Sequence, residues 1–529
     1  MATKAPPNKW LVALSVTFGT LMGTIDASIV NVATPHLRGS LGATVEEITW
    51  VSTGFIIANV IVMPLTAFLG RLFGQKRIYM IALTMFVVGS AFCGLARSLP
   101  MLVVCRMFQG LGAGALQPTE QAILRQTFPP KEQGMAMALF GVAVVIGPAF
   151  GPTLGGYIVD NYSWPWIFYI NLPVGALALV MVSTFVQEAE DIRAANLIQA
   201  EKQRKHMDWA GIALLTLGVA TLQYALEEGQ KDDWFESTTI TVCAAVSAIT
   251  IAAFIIRERT ATAPVVNVSL FKDVVFTSGT LIGAVMFAML ISLTFLLPVF
   301  MQELLGFTAV QSGIALMPRA LTMMVAMPII GRIYNTVSPR LTVAFGVVLF
   351  SISAYMMSHY TLDTTQKDIV AVLIIQGIAF ACLFIPLTTV ALADVPRHKL
   401  PDATGLNSLS RQIGGSMGLA IIATFIPRFT QTAMTSLGAH VTMTRPEVSG
   451  RVMGMTQAFE SRGYDFQSAT QAAERAMQGM VARQAAVLMF EKLFLVSGIA
   501  FLFVLPLLIF LKSPDHQSET VKVDAHVEV

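Results

Sequence analysis

The sequence predicts an all-α integral membrane protein of fourteen spans, built as two six-helix bundles with two extra transmembrane helices between them. Three observations carry this: a composition that water cannot accommodate, fourteen apolar runs of spanning length, and a weak repeat between the two halves. Of 529 residues, 55% are hydrophobic and 12% charged, with a mean hydropathy of +0.67, so one water-soluble globule could not hide the apolar surface. The net charge is only +2, and no Lys/Arg cluster is interleaved with aromatics, which leaves no case for a nucleic-acid partner. Cys93, Cys105, Cys243 and Cys382 lie in apolar segments without metal-ligand spacing. They read as buried small hydrophobes, and no metal site is expected.

A span needs about 20 mostly apolar residues. Runs of that kind fall at 11–32, 48–70, 78–97, 101–123, 134–157, 165–186, 209–228, 238–256, 276–298, 308–331, 341–360, 369–392, 403–427 and 488–511. The first is too long for a signal-peptide core and has no small-residue cleavage site, so it reads as a retained helix. Twenty Lys and Arg fall on the side of the two termini, against four (Arg38, Arg97, Lys231 and Lys367) in the short loops opposite. That bias places both termini in the cytoplasm.

The expected organisation is a first bundle over 1–186, a cytoplasmic linker over 187–208, and two inserted helices with their loop over 209–275. A second bundle over 276–511 follows, with an outer loop at 428–487, and a cytoplasmic tail over 512–529. Within the outer loop, "DFQSATQAAERAMQGMVARQAAV" is rich in helix formers and reads as a solvated amphipathic helix or a docking surface. The halves echo one another. Pro64 and Pro328 each precede a basic residue, Lys76 and Arg340, by twelve positions, and "FQGLGAGALQP" matches "IQGIAFACLFIP" at an offset of 267 between Gln109 and Gln376. Such parallel repeats are the plan of a transporter whose two bundles rock around a central site.

Against that frame Asp26 stands out, alone in "FGTLMGTIDASIVNVATPHL". Ser15, Gly19, Gly23 and Asp26 share one helical face, so the carboxylate sits on a small-residue stripe facing protein or a cavity. A charge at that depth costs roughly 2.5–3.5 kcal/mol on insertion scales. It is either a structural group bonded to a neighbouring helix or a proton or cation site. In the fourth span Arg106, Gly110, Ala113, Gln117 and Glu120 lie along one face. Arg106 needs a counter-charge, for which Asp26 is available, and proton uptake by Asp26 would compete with that pair. Glu120, about 21 Å along the helix, reads as an inner-vestibule group or a carboxylate near the headgroups.

In the fifth span Gly147, Gly151 and Gly155 repeat every four residues, with Pro148 and Pro152 one position on and Gly156 closing the run. The glycines suit close helix contact and the prolines a bend, so the element is a packing face or a hinge. Gln109, Gln117, Glu120, Arg319 and Arg411 are the polar groups expected along a substrate pathway. No embedded acid in the second half matches Asp26.

These stretches together resemble the major facilitator superfamily, specifically its fourteen-helix drug:proton antiporter branch of the EmrB/QacA type, over essentially the whole chain. "IDASIVNVATP" looks like that branch's helix-one motif, "RMFQG" its helix-four arginine motif, "GPAFGPTLGG" its helix-five antiporter motif and "WPWIFYINLPVG" its helix-six signature. The resemblance implies that Asp26 and Arg106 couple transport to protons. It also implies that Gly147 to Gly156 serve antiport, with no cofactor beyond the proton-motive force. Hydrophobic and amphipathic small molecules would be the substrates. The long outer loop is similar to that of members which hand substrate to an EmrA-like periplasmic adaptor and an outer-membrane channel, implying a Gram-negative inner membrane.

One departure concerns the gate loop "LGRLFGQKR". It keeps Gly74, Lys76 and Arg77, but Arg71 holds the usual acid position and Asn335 the corresponding place in the second half. The usual charge pairing that latches the inner gate is therefore not expected. The alternatives are an exporter of one endogenous metabolite, fatty acid or lipid, or a non-transporting receptor. An enzyme is disfavoured, with no Walker motif, His-rich metal cluster or nucleophile triad in the sequence.

Overall fold

The computed structural model describes residues 8–188, 193, 200, 201, 203, 207–261 and 263–511. Most of the expected linker and the whole expected tail, with Lys202, Arg204, Lys205, Lys512 and Lys522, lie outside the described residues. Among the described residues fourteen helices are long and apolar enough to cross a membrane, and there is no strand. This follows from lipid as solvent, where each backbone N–H and C=O must be satisfied within its own segment.

The first half comprises α1 (Lys9–Leu41), α2 (Trp50–Phe73), α3 (Gln75–Gly94), α4 (Leu99–Thr127), α5 (Gln133–Asn161) and α6 (Asn171–Phe185). The inserted pair is α7 (Trp209–Glu228) and α8 (Thr238–Thr260). The second half comprises α9 (Val274–Glu303), α10 (Ala309–Ile333), α11 (Pro339–Met357), α12 (Gln366–Val390), α13 (Leu400–Gly438) and α14 (Phe466–Leu502). Within the halves α1 packs on α5 and α9 on α13, while α4 lies against α2 and α3 as α12 does against α10 and α11. Exposed Val104, Ile249, Val325 and Leu341 present the apolar exterior that lipid requires.

Two helices outrun the bilayer furthest. α13 has 39 residues and α14 has 37, about 55–58 Å at 1.5 Å per residue against a hydrocarbon core of about 30 Å. With the short helix Pro446–Glu460, which packs on α14, they form a helical projection at the end opposite the chain termini. The helix-rich stretch of the outer loop is thus continuous with the last span.

Small residues set the spacing of the first half. A Cβ at Gly151 would come within 2.6 Å of the Ser28 Cβ and one at Gly155 within 3.2 Å of Ile29, while one at Gly147 would overlap Thr24. The Thr24 hydroxyl uses this approach to donate to the Ala143 carbonyl at 3.1 Å. The second half repeats the device, with Gly414 and Gly418 seated on Ala284 and Ala288 of α9. Between the halves, α5 meets α10 through Gly134 and Gly331, where each Cβ would fall within 2.8 Å of the other's carbonyl oxygen. This contact lies at the end that carries the termini.

Gly151→Val should lower the unfolding temperature of the protein in detergent, by an overpacking cost of about 1–3 kcal/mol. Gly156→Ala should leave it nearly unchanged, because the nearest atom to a Cβ there is Val32 Cγ1 at 4.0 Å. Thermal unfolding of the two variants beside the parent checks both.

Candidate functional site

Asp26 and Arg106 face each other between α1 and α4, both about 1% exposed. Arg106 Nη1 donates to Asp26 Oδ2 at 2.5 Å and to Gln109 Oε1 at 2.8 Å, and Nε donates to the Val51 carbonyl at 3.3 Å. The Phe55 ring lies 4.1 Å from the guanidinium carbon. The other carboxylate oxygen, Oδ1, accepts from Gln109 Nε2 at 3.0 Å and from Asn171 Nδ2 at 2.8 Å. Asn171 also donates to Ser90 Oγ, which donates on to the Phe168 carbonyl. Five helices, α1, α2, α3, α4 and α6, therefore converge on one ion pair in a region closed to water, where such bonds are strong and their loss is costly.

Asn171 and Ser90 were missed by reading the sequence. Asn171 lies inside "WPWIFYINLPVG", but a neutral amide among apolar residues carries no signal of its partner.

The remaining expected residues distribute unevenly. Glu120 does not line an open vestibule in this structure: it is fully buried, accepting from Thr17 Oγ1 at 3.0 Å and from the Thr20 hydroxyl, both on α1. The expectation failed because distance along a helix does not reveal which neighbour covers the position. Gln117 is half-buried and makes no side-chain hydrogen bond among the described residues. Arg319 donates to Thr294 Oγ1 at 3.0 Å and to Gln376 Oε1 at 3.3 Å. Gln376 corresponds to Gln109 by the repeat, and Thr294 lies on α9, the counterpart of α1. The second half thus keeps the glutamine of the network and a hydroxyl on the helix that supplies the carboxylate in the first, but its arginine comes from α10, the counterpart of α2, rather than from α12. Arg411, on α13, has three phenyl rings around it and no acidic partner among the described residues.

The gate loop requires a correction. Arg71 pairs with Asp402, on the first turn of α13, at 2.6 Å, with both side chains buried. Arg71 also donates to the Val265 carbonyl at 2.9 Å, and Asp402 accepts from the Asn267 amide at 3.3 Å. A charge pair therefore does latch this end, with its polarity reversed: the base comes from the last turn of α2 and the acid from the first turn of α13, where the two helix dipoles favour them. Asn335 crosses the same interface to the Lys131 carbonyl at 2.6 Å. Gly74, at φ +89, makes the turn after α2. Lys76 bonds to the Ser183 carbonyl and its amide to Glu188, while Arg77 is exposed.

With this geometry, comparison with known proteins is decisive. The model of the Major Facilitator Superfamily matches residues 16–419. The chain belongs to that superfamily. It is 32% identical to the multidrug export protein EmrB of Haemophilus influenzae, over 97% of this chain and 98% of the relative. It is 34% identical to EmrB of Escherichia coli K12, over 78% and 79% respectively. Among solved structures, the human organic anion transporter MFSD10 superposes with a TM-score of 0.59 at 15% identity, covering 95% of this chain and all of that one. The facilitator fold therefore covers most of the chain, the chain is a multi-pass membrane protein, and its superfamily is one of transporters rather than enzymes.

Asp26→Ala strands a buried guanidinium and should destabilise the protein by about 3–5 kcal/mol. Asp26→Ala combined with Arg106→Leu should recover part of that loss, as a thermal-unfolding double-mutant cycle would show. At the gate, Arg71→Asp opposes two carboxylates and should lower stability, and the exchange Arg71→Asp/Asp402→Arg should restore at least half of the loss. No recovery would mean that the two groups do not act as a pair.

Proposed function

We propose that this facilitator is a proton-coupled antiporter that exports hydrophobic and amphipathic drugs across the cytoplasmic membrane. The observation that carries the reading is the sealed ion pair of Asp26 and Arg106, a titratable carboxylate held by one cation and two amides between mobile elements of a transporter fold. A proton arriving at Asp26 cancels its charge, weakens the charge-assisted bond to Arg106 and loosens α1 from α4. Because α1 is seated on the glycine face of α5, and α5 on α10, a shift of α1 passes to the interface between the halves. Substrate binding from the inside would favour release of the proton.

Export matches the function carried in the names of the EmrB relatives. The Lys/Arg bias puts the termini, and with them the Arg71–Asp402 latch, on the cytoplasmic side. The long projection of α13 and α14 then faces the periplasm, where it suits contact with an EmrA-like adaptor and, through it, an outer-membrane channel. No cofactor is invoked; the proton-motive force supplies the energy.

The test is proton movement in proteoliposomes under an imposed pH gradient, with a hydrophobic dye as substrate and Asp26→Asn compared with the parent at equal protein. Dye should drive proton flux in the parent, and the variant should lose at least about tenfold of it while still binding dye. Unchanged flux in the variant would remove Asp26 from the coupling.

A further inference from the structure

Arg411 is the charged group for which the fold provides least. It is 4% exposed, its Nη2 donates to Ser408 Oγ at 3.3 Å, and its Nη1 is sealed from solvent without any partner. One turn earlier on the same face of α13, Asn407 is 2% exposed and its Nδ2 is likewise sealed and unpartnered. A buried donor left unmet is costly, and an unpaired buried cation more so. Arg319 does not share this condition, since it gives its donors to Thr294 and Gln376.

The surroundings of the two unmet donors are apolar and aromatic. The rings of Phe287 on α9, Phe384 on α12 and Phe140 on α5 stand 5.3, 5.8 and 5.9 Å from the Arg411 guanidinium carbon. Phe140 belongs to the first half and the other two to the second, so the cluster sits where the halves meet and is divided when they part. Gly283 of α9 faces the same two side chains and leaves the width of a methyl group beside them, since a Cβ there would stand in ordinary contact with Arg411 at 3.9 Å and Asn407 at 4.0 Å.

We propose that Arg411 and Asn407 form the seat for the carboxylate of an amphipathic anionic substrate, whose apolar body lies against Phe140, Phe287 and Phe384. One guanidinium and one amide supply the donors that a singly charged oxyanion needs, and a charge-assisted bond in this setting is the strong kind. The seat rests on the export reading for its purpose, since a transporter gains from a cation that is satisfied only when cargo is bound. It narrows that reading to cargo bearing a carboxylate.

Purified full-length protein in detergent is titrated with 1-naphthylacetate and with 1-naphthylacetamide, which share a body and differ in charge. The carboxylate should bind at least about tenfold more tightly, Arg411→Gln should erase that ratio, and Arg411→Lys should retain part of it. Equal binding of the two compounds to the parent protein overturns the seat, and this comparison needs no variant to fold. A preference that survives Arg411→Gln also overturns it. Export of tetraphenylphosphonium by the parent in proteoliposomes is followed separately. Transport of that cation with no carboxylate preference refutes the seat and leaves the exporter standing, while a carboxylate preference lost in Arg411→Gln without transport of either charge type supports the seat and refutes the exporter.

Discussion

A carboxylate and a guanidinium enclosed by helices, with no water to share, have only each other and the few amides within reach. That constraint organises the first half of this protein. Asp26 and Arg106 are tolerable at mid-membrane because Gln109, Asn171 and the Val51 carbonyl complete their bonding, and those partners come from helices that must approach closely. The approach of α4 to α2 and to α3 depends in turn on Gly110 and Gly89, where a Cβ would fall 2.5 Å from the Phe55 carbonyl oxygen and 2.9 Å from the Gln109 Cα. Charge pairing and helix spacing are therefore one problem solved together.

The second half shares the architecture without sharing the chemistry. Gly414 and Gly418 seat α13 on α9 much as Gly151 and Gly155 seat α5 on α1, while Gln376, at the place of Gln109, meets an arginine from another helix, Arg319 of α10, where Gln109 meets Arg106 of its own helix. On the helix that corresponds to α1, the partner is Thr294, which cannot lose or gain charge near neutral pH. A duplicated scaffold has thus kept its packing in both copies and a titratable acid at this place in one. The division of labour that results puts a buried ion pair in the first half and, among the described residues, buried arginines held by neutral partners in the second.

Much of this was legible in the sequence because a charge in an apolar run is conspicuous. The span count, the Asp26–Arg106 depth match and the small-residue faces all depend on local pattern, and all are visible in the helices. Asn171 and Ser90 were not, since neutral polar residues in a span announce neither depth nor partner. Asp402 was hidden for a different reason: an acid in the first turn of a helix is ordinary capping chemistry, and only tertiary contact turns it into the counter-charge of Arg71. The full lengths of α13 and α14 were also out of reach, because a helix leaving the membrane continues without the apolar signal that marked its start.

The inserted helix α7 touches both halves at the end opposite the termini. Glu228 accepts from Thr53 of α2 and Tyr224 stacks on Trp50, while Gln223 donates to Ser416 of α13 and Trp234, just beyond the helix, to Thr424. At the other end the same two helices, α2 and α13, are held by Arg71 and Asp402. The α5–α10 seam across the molecule packs closely through small and apolar groups, with the Asn335 bond to the Lys131 carbonyl at the end that carries Lys9. In mechanical terms the two halves are riveted by polar bonds at both ends of one edge and pressed together along the other, where most of the seam can slide without a bond to break.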